Sequence, residues 1–259
     1  MPTGLRAGHH TYWKDAGAGP KRAVLIHCSL AHSGAWGGVI TALGDAYRSC
    51  AFDMPGHGRS AGYVGDDYQG QTAAIAATFC DGPTHLIGHS FGATVVLRLA
   101  AQQPHLVSRL SLIEPVFFAA ASPEEQEAHE QQMQPFARMM AQDDLRGAAA
   151  FFNGLWGALP WDKIPQSQQD YMAQRIHLIP MASASIMQDS HGLLDGGLSK
   201  IDAPVDLIAG SHSHPIIPSI LDGLTRQFPH AKRVTIQGAG HMVPITHATE
   251  VTKALTDEV

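Results

Sequence analysis

Charge is scarce in this sequence. Only 15% of its 259 residues are Asp, Glu, Lys or Arg, and no cluster of Lys and Arg stands out. The formal net charge is −6. Without a basic patch the chain has little to set against a phosphate backbone, so no nucleic-acid partner is expected. Long apolar runs are missing too. None reaches the length of a bilayer span, and the opening MPTGLRAGHHTYWKDAGAG has no apolar stretch of signal-peptide length. The expectation is a cytoplasmic protein with no membrane partner. Cysteine is limited to Cys28, Cys50 and Cys80, an odd number in mostly apolar surroundings. Buried, reduced thiols explain them better than a disulfide framework. There is no internal repeat and no low-complexity tract. Nothing dictates an oligomer, and a monomer or homodimer is expected.

What the chain does have is apolar content, 44% of residues, enough for a substantial core in a single α/β domain. Short apolar runs punctuated by turn residues read as buried strands: Ala23 to Cys28, Ser49 to Met54, Thr84 to Gly88, Leu106 to Ile113, Val205 to Ala209 and Arg233 to Ile236. Helical patterns lie among them, at Gly70 to Phe79, Phe91 to Gln103, Leu221 to Phe228 and Glu250 to Leu255. Alternating strands and helices predict a mostly parallel central sheet with helices on both faces. The segments around Arg6 and Tyr12 are candidates for antiparallel edge strands.

Between Pro115 and about Lys200 the alternation stops. This stretch is helical in pattern and rich in Gln, Met, Ala and aromatics. Ser122-Pro123-Glu124-Glu125 reads as a helix start, with Ser122 as N-cap. The stretch begins just after a strand's C-terminal end, where α/β sheets place their ligands. It is expected to be an inserted helical lid over residues 115–200, with residues 1–114 and 201–259 forming the α/β core. Its methionines (Met133, Met139, Met140, Met181, Met187) and aromatics (Phe117, Phe118, Phe151, Phe152, Trp156, Trp161) divide between lid core and an apolar pocket.

The sharpest motif is Gly88-His89-Ser90-Phe91-Gly92, with a strand before it and a long helix after it. Small flanking residues allow a turn tight enough to hold a serine exposed at a helix N-terminus. The bland reading is a capping serine in a glycine-rich turn. A serine hydroxyl is a weak nucleophile and needs a base. Among sixteen histidines, His241 stands out because Gly238-Ala239-Gly240-His241-Met242 follows the last strand. His247 is the alternative. His212-Ser213-His214 lacks the further ligands that a zinc site needs, so no metal is expected.

Taken together, these segments resemble the α/β-hydrolase fold family, and the likeness covers nearly the whole chain. It rests on His27-Cys28-Ser29, Asp53-Met54-Pro55-Gly56-His57-Gly58-Arg59-Ser60, Gly88 to Gly92 and Gly238 to Met242, in matching order and spacing. The closest likeness is to lid-bearing, esterase-like serine hydrolases. The resemblance implies a Ser-His-acid triad with Ser90 as nucleophile and His241 as base. It implies an oxyanion hole from the backbone N–H of Phe91 and that of Ser29, with Leu30 the near alternative. The usual His-Gly is here His27-Cys28, a departure that bears on the second donor. Asp53 to Gly58 is read as a structural turn. His89, Leu30 and Met242, beside the motif residues, are expected to face the substrate; Trp36 either joins the pocket wall or simply packs its loop.

The third triad member departs from the usual pattern. An aspartate commonly follows the penultimate strand, but the loop here is Gly210-Ser211-His212-Ser213-His214-Pro215, with no carboxylate. Asp206 lies too early in the strand. Glu114, directly after the strand ending at Ile113, is the substitute, as some family members place their acid there. Asp189 and Asp195 are weaker candidates. The expected activity is hydrolysis of a small to medium, hydrophobic carboxylic ester through an acyl-enzyme, with no metal or organic cofactor. The alternatives are a lyase, a carbon–carbon bond hydrolase, or a low-turnover ligand-binding protein.

Overall fold

The computed structural model describes residues 2–256. An eight-stranded sheet is built from β1 (Thr3–Arg6), β2 (His9–Ala16), β3 (Lys21–Ile26), β4 (Tyr47–Phe52), β5 (Thr84–His89), β6 (Val107–Ile113), β7 (Val205–Gly210) and β8 (Lys232–Ile236). The spatial order is β1-β2-β4-β3-β5-β6-β7-β8. β1 and β2 pair antiparallel at the edge, β2 is antiparallel to β4, and every remaining pair is parallel. The early segments thus form the expected antiparallel edge.

Helices fill the connections. α1 (Gly37–Leu43), α2 (Tyr68–Ala77) and α3 (Phe91–Gln102) precede β6. α4 (Pro123–Gln132), α5 (Gln134–Ala141), α6 (Leu145–Trp156), α7 (Gln166–Arg175) and α8 (Ser183–Met187) lie between β6 and β7. α9 (Ile216–Gln227) links β7 to β8, and α10 (Val243–Thr246) and α11 (Ala248–Thr256) end the chain. α9 begins five residues before the sequence pattern suggested. Pro218 falls in its first turn, where a missing N–H disturbs no helical bond.

The strand period of two sorts the core into layers. Ala23, Leu25, Ala51, Ile87, Ile113 and Ile208 face one side, against Val39 and Leu43 of α1 and Val251 and Leu255 of α11. Val24, Ile26, Phe52, Leu86, Leu112 and Leu207 face the other, against α2, α3 and α9. Both faces are covered, which explains why the parallel strands read as unbroken apolar runs.

No strand interrupts the described chain between β6 and β7. This helical segment has a small core of its own, where Phe136, Ala148, Ala149, Ile164, Met172 and Ile176 pack with Leu30. Its first helix starts as expected, with the Ser122 hydroxyl accepting from Glu125 N–H and Pro123 in the first turn. No described helix is long and apolar enough to cross a membrane.

Strand order also locates the functional edge. From β3 the chain steps to β4 on one side, while β5 lies on the other side of β3. Loops leaving β3 and β5 therefore diverge and open a crevice at their C-terminal ends. Ser29 lies in the first of these loops and Ser90 in the second.

Candidate active site

Ser90 stands between the end of β5 and the start of α3, with φ 56° and ψ −118°. That backbone is sparsely populated for a residue with a side chain and costs on the order of 1–3 kcal/mol. The surroundings enforce it. Ser90 N–H donates to Ile113 O at 2.9 Å, tying the turn to β6. A Cβ on Gly88 would sit 2.2 Å from Gly92 O, and one on Gly92 would sit 2.2 Å from Ile26 O. Only glycine lets strand and helix approach this closely.

His241 arrives from the loop after β8. Its Nε2 lies 2.9 Å from Ser90 Oγ, and its Nδ1 lies 3.0 Å from Glu114 Oε2. Glu114 is fully buried, while Ser90 and His241 are each 7% exposed. Glu114 also has a left-handed backbone, φ 50°, and its N–H donates to Ile208 O at 2.8 Å. Its other oxygen, Oε1, accepts from Gly210 N–H at 2.7 Å. The Ser213 hydroxyl donates to that same oxygen. Both donors come from the loop where the family commonly has its aspartate. Sequence reasoning passed over Ser213; the one signal was a hydroxyl in the loop that lacked a carboxylate.

The other candidate acids lie elsewhere, and Asp195 is exposed. Asp189 accepts from Leu193 N–H and Leu194 N–H, both at 2.8 Å. Asp206 pairs with Arg109 and accepts from Ser111. His247 lies beyond α10 with its Nδ1 on Thr246 Oγ1, not beside Ser90. His212 is exposed, whereas His214 stacks on Trp156 at 4.6 Å, so the two do not converge.

Two backbone N–H groups border the Ser90 hydroxyl's surroundings without a partner among the described residues. Phe91 N–H starts α3, where no intrahelical acceptor exists, and Ser29 N–H makes no described hydrogen bond. Leu30 N–H, the alternative oxyanion donor, is already used: it donates to His57 Nε2 at 3.1 Å. That corrects the alternative. The β3 loop is held at several further points. His27 Nδ1 donates to Cys28 O, its Nε2 accepts from Met54 N–H, and Asp53 Oδ1 accepts from Ser33 N–H. Burial pushes the imidazoles of His27 and His57 down to a pKa of about 3. They stay neutral, as their acceptor nitrogens require.

Two expected pocket residues sit one layer back. Trp36 is 1% exposed and packs with α1, its ring 6.4 Å from that of His89. His89, also lowered to about 3 by burial, donates through Nε2 to His241 O at 2.8 Å. Strand alternation explains this: His89 precedes Ser90 and points to the opposite side of the turn. It steadies the His241 backbone rather than lining a cavity. Leu30 and Met242 line a cavity.

Two cavities meet at Ser90. One, of about 440 Å³, is walled by Val116, Phe118, Phe136, Met140, Ile186 and Met187. The other, of about 450 Å³, is bordered by His241, Met242, Leu30, His32, Asn153 and Gln168. The methionines and aromatics thus divide. Met133, Met140, Met187 and Phe118 line the first cavity, Phe152 and Trp156 line both, Phe117 is buried in the core, and Phe151, Met139 and Trp161 pack half-buried against a core; Met181 does neither and is exposed.

A sequence profile describing the alpha/beta hydrolase fold matches residues 23–248. The chain belongs to this family. It is 26% identical over 253 residues to a 2-(acetamidomethylene)succinate hydrolase of Mesorhizobium japonicum, covering 94% of this chain and 89% of that protein. It is 28% identical over 252 residues to a pimeloyl-[acyl-carrier protein] methyl ester esterase of Xanthomonas campestris pv. campestris, covering 92% and 94%. Among solved structures, the enol-lactonase from Burkholderia xenovorans superposes with a TM-score of 0.73 at 20% identity, covering 99% of this chain and 98% of that one. This last likeness is one of fold.

Proposed function

We propose that this α/β-hydrolase is a serine esterase that cleaves a small to medium, hydrophobic carboxylic ester through an acyl-enzyme. The observation that carries the reading is the hydrogen-bonded series Ser90 Oγ, His241 and Glu114, set at the junction of two cavities. His241 Nε2 takes the Ser90 proton as Oγ forms a bond to the carbonyl carbon. The carbonyl oxygen gains charge and is held by Ser29 and Phe91 N–H, each worth about 3 kcal/mol to the transition state. The C–O bond to the leaving alcohol then breaks, and His241 returns the proton to that oxygen. Water, deprotonated by the same nitrogen, attacks the acyl carbon and releases the acid and Ser90. Glu114 keeps Nδ1 protonated and stabilises the imidazolium. Residues 115–200 serve as the lid that walls both cavities.

The relatives named as an esterase and a hydrolase support this class of reaction. The test is covalent labelling with a fluorophosphonate together with hydrolysis of p-nitrophenyl esters. Stoichiometric labelling at Ser90, lost with turnover in Ser90→Ala, is the expected result. Turnover that survives Ser90→Ala would overturn the acyl-enzyme, and labelling without ester turnover would point to lyase or carbon–carbon bond chemistry.

A further inference from the structure

Resting on that reading, we infer that the two cavities have fixed and different roles: the lid cavity takes the acyl group and the His241 cavity takes the leaving group. The substrate is then an ester whose acid and alcohol halves are both sizeable.

Stereochemistry at Ser90 makes the assignment. A tetrahedral carbon on Ser90 Oγ has three other substituents. The oxyanion must lie between Ser29 and Phe91 N–H. The leaving oxygen must reach the nitrogen that carries the proton, His241 Nε2. His241 borders only the second cavity, and Phe91 only the first. The leaving oxygen therefore projects into the second cavity, and the acyl carbon chain has the first.

The linings agree with that division. The acyl cavity is walled by Val116, Phe118, Phe136, Ile186 and flexible methionines, which adapt to an unbranched chain. The leaving-group cavity mixes Leu30 and Ile164 with the polar side chains of His32, Asn153 and Gln168. The apolar side chains suit the hydrocarbon part of a sizeable alcohol, and the polar ones can meet a single polar group that it carries.

Size adds a second constraint. Each cavity alone, at about 440 and 450 Å³, falls within the range of roughly 300–1,000 Å³ that accommodates a whole small ligand. A methyl leaving group would leave the second cavity nearly empty.

The partition between the cavities is specific. Phe152 and Trp156 are the aromatic residues that line both, and they stand one turn apart on α6. The Trp156 ring also packs 4.7 Å from His241 and 4.6 Å from His214. The same helix face thus separates the two substrate halves and walls the base.

Two substrate series test the division. One varies the acyl chain from acetate to octanoate on p-nitrophenol. The other varies the alcohol from methanol to hexanol and benzyl alcohol on a constant octanoyl group, followed by pH-stat. In the unmodified enzyme kcat/KM rises along both series, by up to about fourfold per newly buried methylene. Met187→Trp and the milder Ala182→Leu, both in the acyl cavity, reduce the octanoate-over-acetate preference by about tenfold and leave the alcohol order intact. Ala158→Trp, on the rim of the other cavity, reduces the hexyl-over-methyl preference and leaves the acyl order intact. The reverse pattern, or a flat response to the alcohol series, overturns the assignment while Ser90 still labels with fluorophosphonate. Absence of Ser90 labelling in the unmodified enzyme instead removes the esterase reading beneath it.

Discussion

Ile208 and Ile186 are both buried, but they are buried for different ends. Ile208 alternates with Leu207 across β7 and packs in the layer shared with α1 and α11. Ile186 sits in the five-residue α8 and forms part of the wall of the first cavity at Ser90. In the α/β core, strand register fixes every neighbour, so filling space and forming the fold are one requirement. Between β6 and β7, short helices and 3₁₀ turns leave apolar residues such as Met133, Met140 and Ile186 lining an open cavity. The core therefore holds Ser90, His241 and Glu114 to tight geometry, while the proposed lid would shape what reaches them. Perturbing each region separately makes that division testable.

The largest effect belongs to the core edge. Glu114 holds His241 from a loop after β6, with Gly210 N–H and the Ser213 hydroxyl on its other oxygen. Glu114→Gln keeps the shape but offers Nδ1 either an amide or the wrong tautomer. Its kcat should fall on the order of 10³–10⁴-fold, with the thermal midpoint nearly unchanged. Because Ser213 already contacts Glu114, a carboxylate at 213 would lie close to the same imidazole. Glu114→Gln combined with Ser213→Asp should regain part of the lost rate. Near-normal activity in Glu114→Gln alone would remove the residue from the mechanism and blur the core's distinct role.

How much of this was legible in the sequence follows the same boundary. Strands such as Val205 to Ala209 were readable because a parallel strand buried on both faces must be apolar throughout. Ser90 was readable because Gly88 and Gly92 have no sterically tolerable replacement. Glu114 could be singled out through the family resemblance: the loop after β7 has no carboxylate, and some members place their acid after the strand that here ends at Ile113. His89 was misplaced because closeness in sequence to a motif does not say which side of a tight turn a side chain takes, and of the two readings of Trp36 the structure has loop packing, against α1. The hydrogen bond from Leu30 N–H to His57 joins loops 27 residues apart, and no local pattern encodes it. Between β6 and β7 the sequence showed helices but could not tell Met139 from Met140: both pack half-buried against the same small core, and Met140 also lines the cavity. The two are adjacent and chemically identical, and only tertiary packing separates them.

Acid should act mainly on the core. Burial lowers His27, His57, His85 and His89 to about 3, whereas the insertion's His129 falls to about 4. The unfolded chain binds protons at these residues near pH 6.5, and the folded chain does not until near pH 3. Between those values the unfolded state holds more protons, so stability is complete above about pH 6.5 and is lost as pH falls. The thermal midpoint should drop on the order of 10 °C between pH 7.5 and 5. Calorimetry at several pH values would measure it. A flat profile would mean that these imidazoles are not held neutral, and the loop pinned by His27 and His57 would need another explanation.

The smallest effect lies at the seam between the two regions. Arg98 on α3 donates through both terminal nitrogens to Asp67, each at 2.6 Å, and the pairing holds the Asp67 carboxyl below its usual pKa. One of those nitrogens also donates to His191 Nε2 at 2.7 Å, near the end of the insertion. His191 is partly exposed, so removing it costs one screened contact, about 1 kcal/mol at most. His191→Ala should therefore shift the thermal midpoint by only a few degrees. The local consequence should be clearer: amides of residues 189–194 exchange faster with deuterium, while those of β3, β5 and β6 keep their protection. If the core strands lost protection equally, insertion and sheet would open as one cooperative unit. The insertion could not then adjust to substrate without loosening the geometry around Ser90.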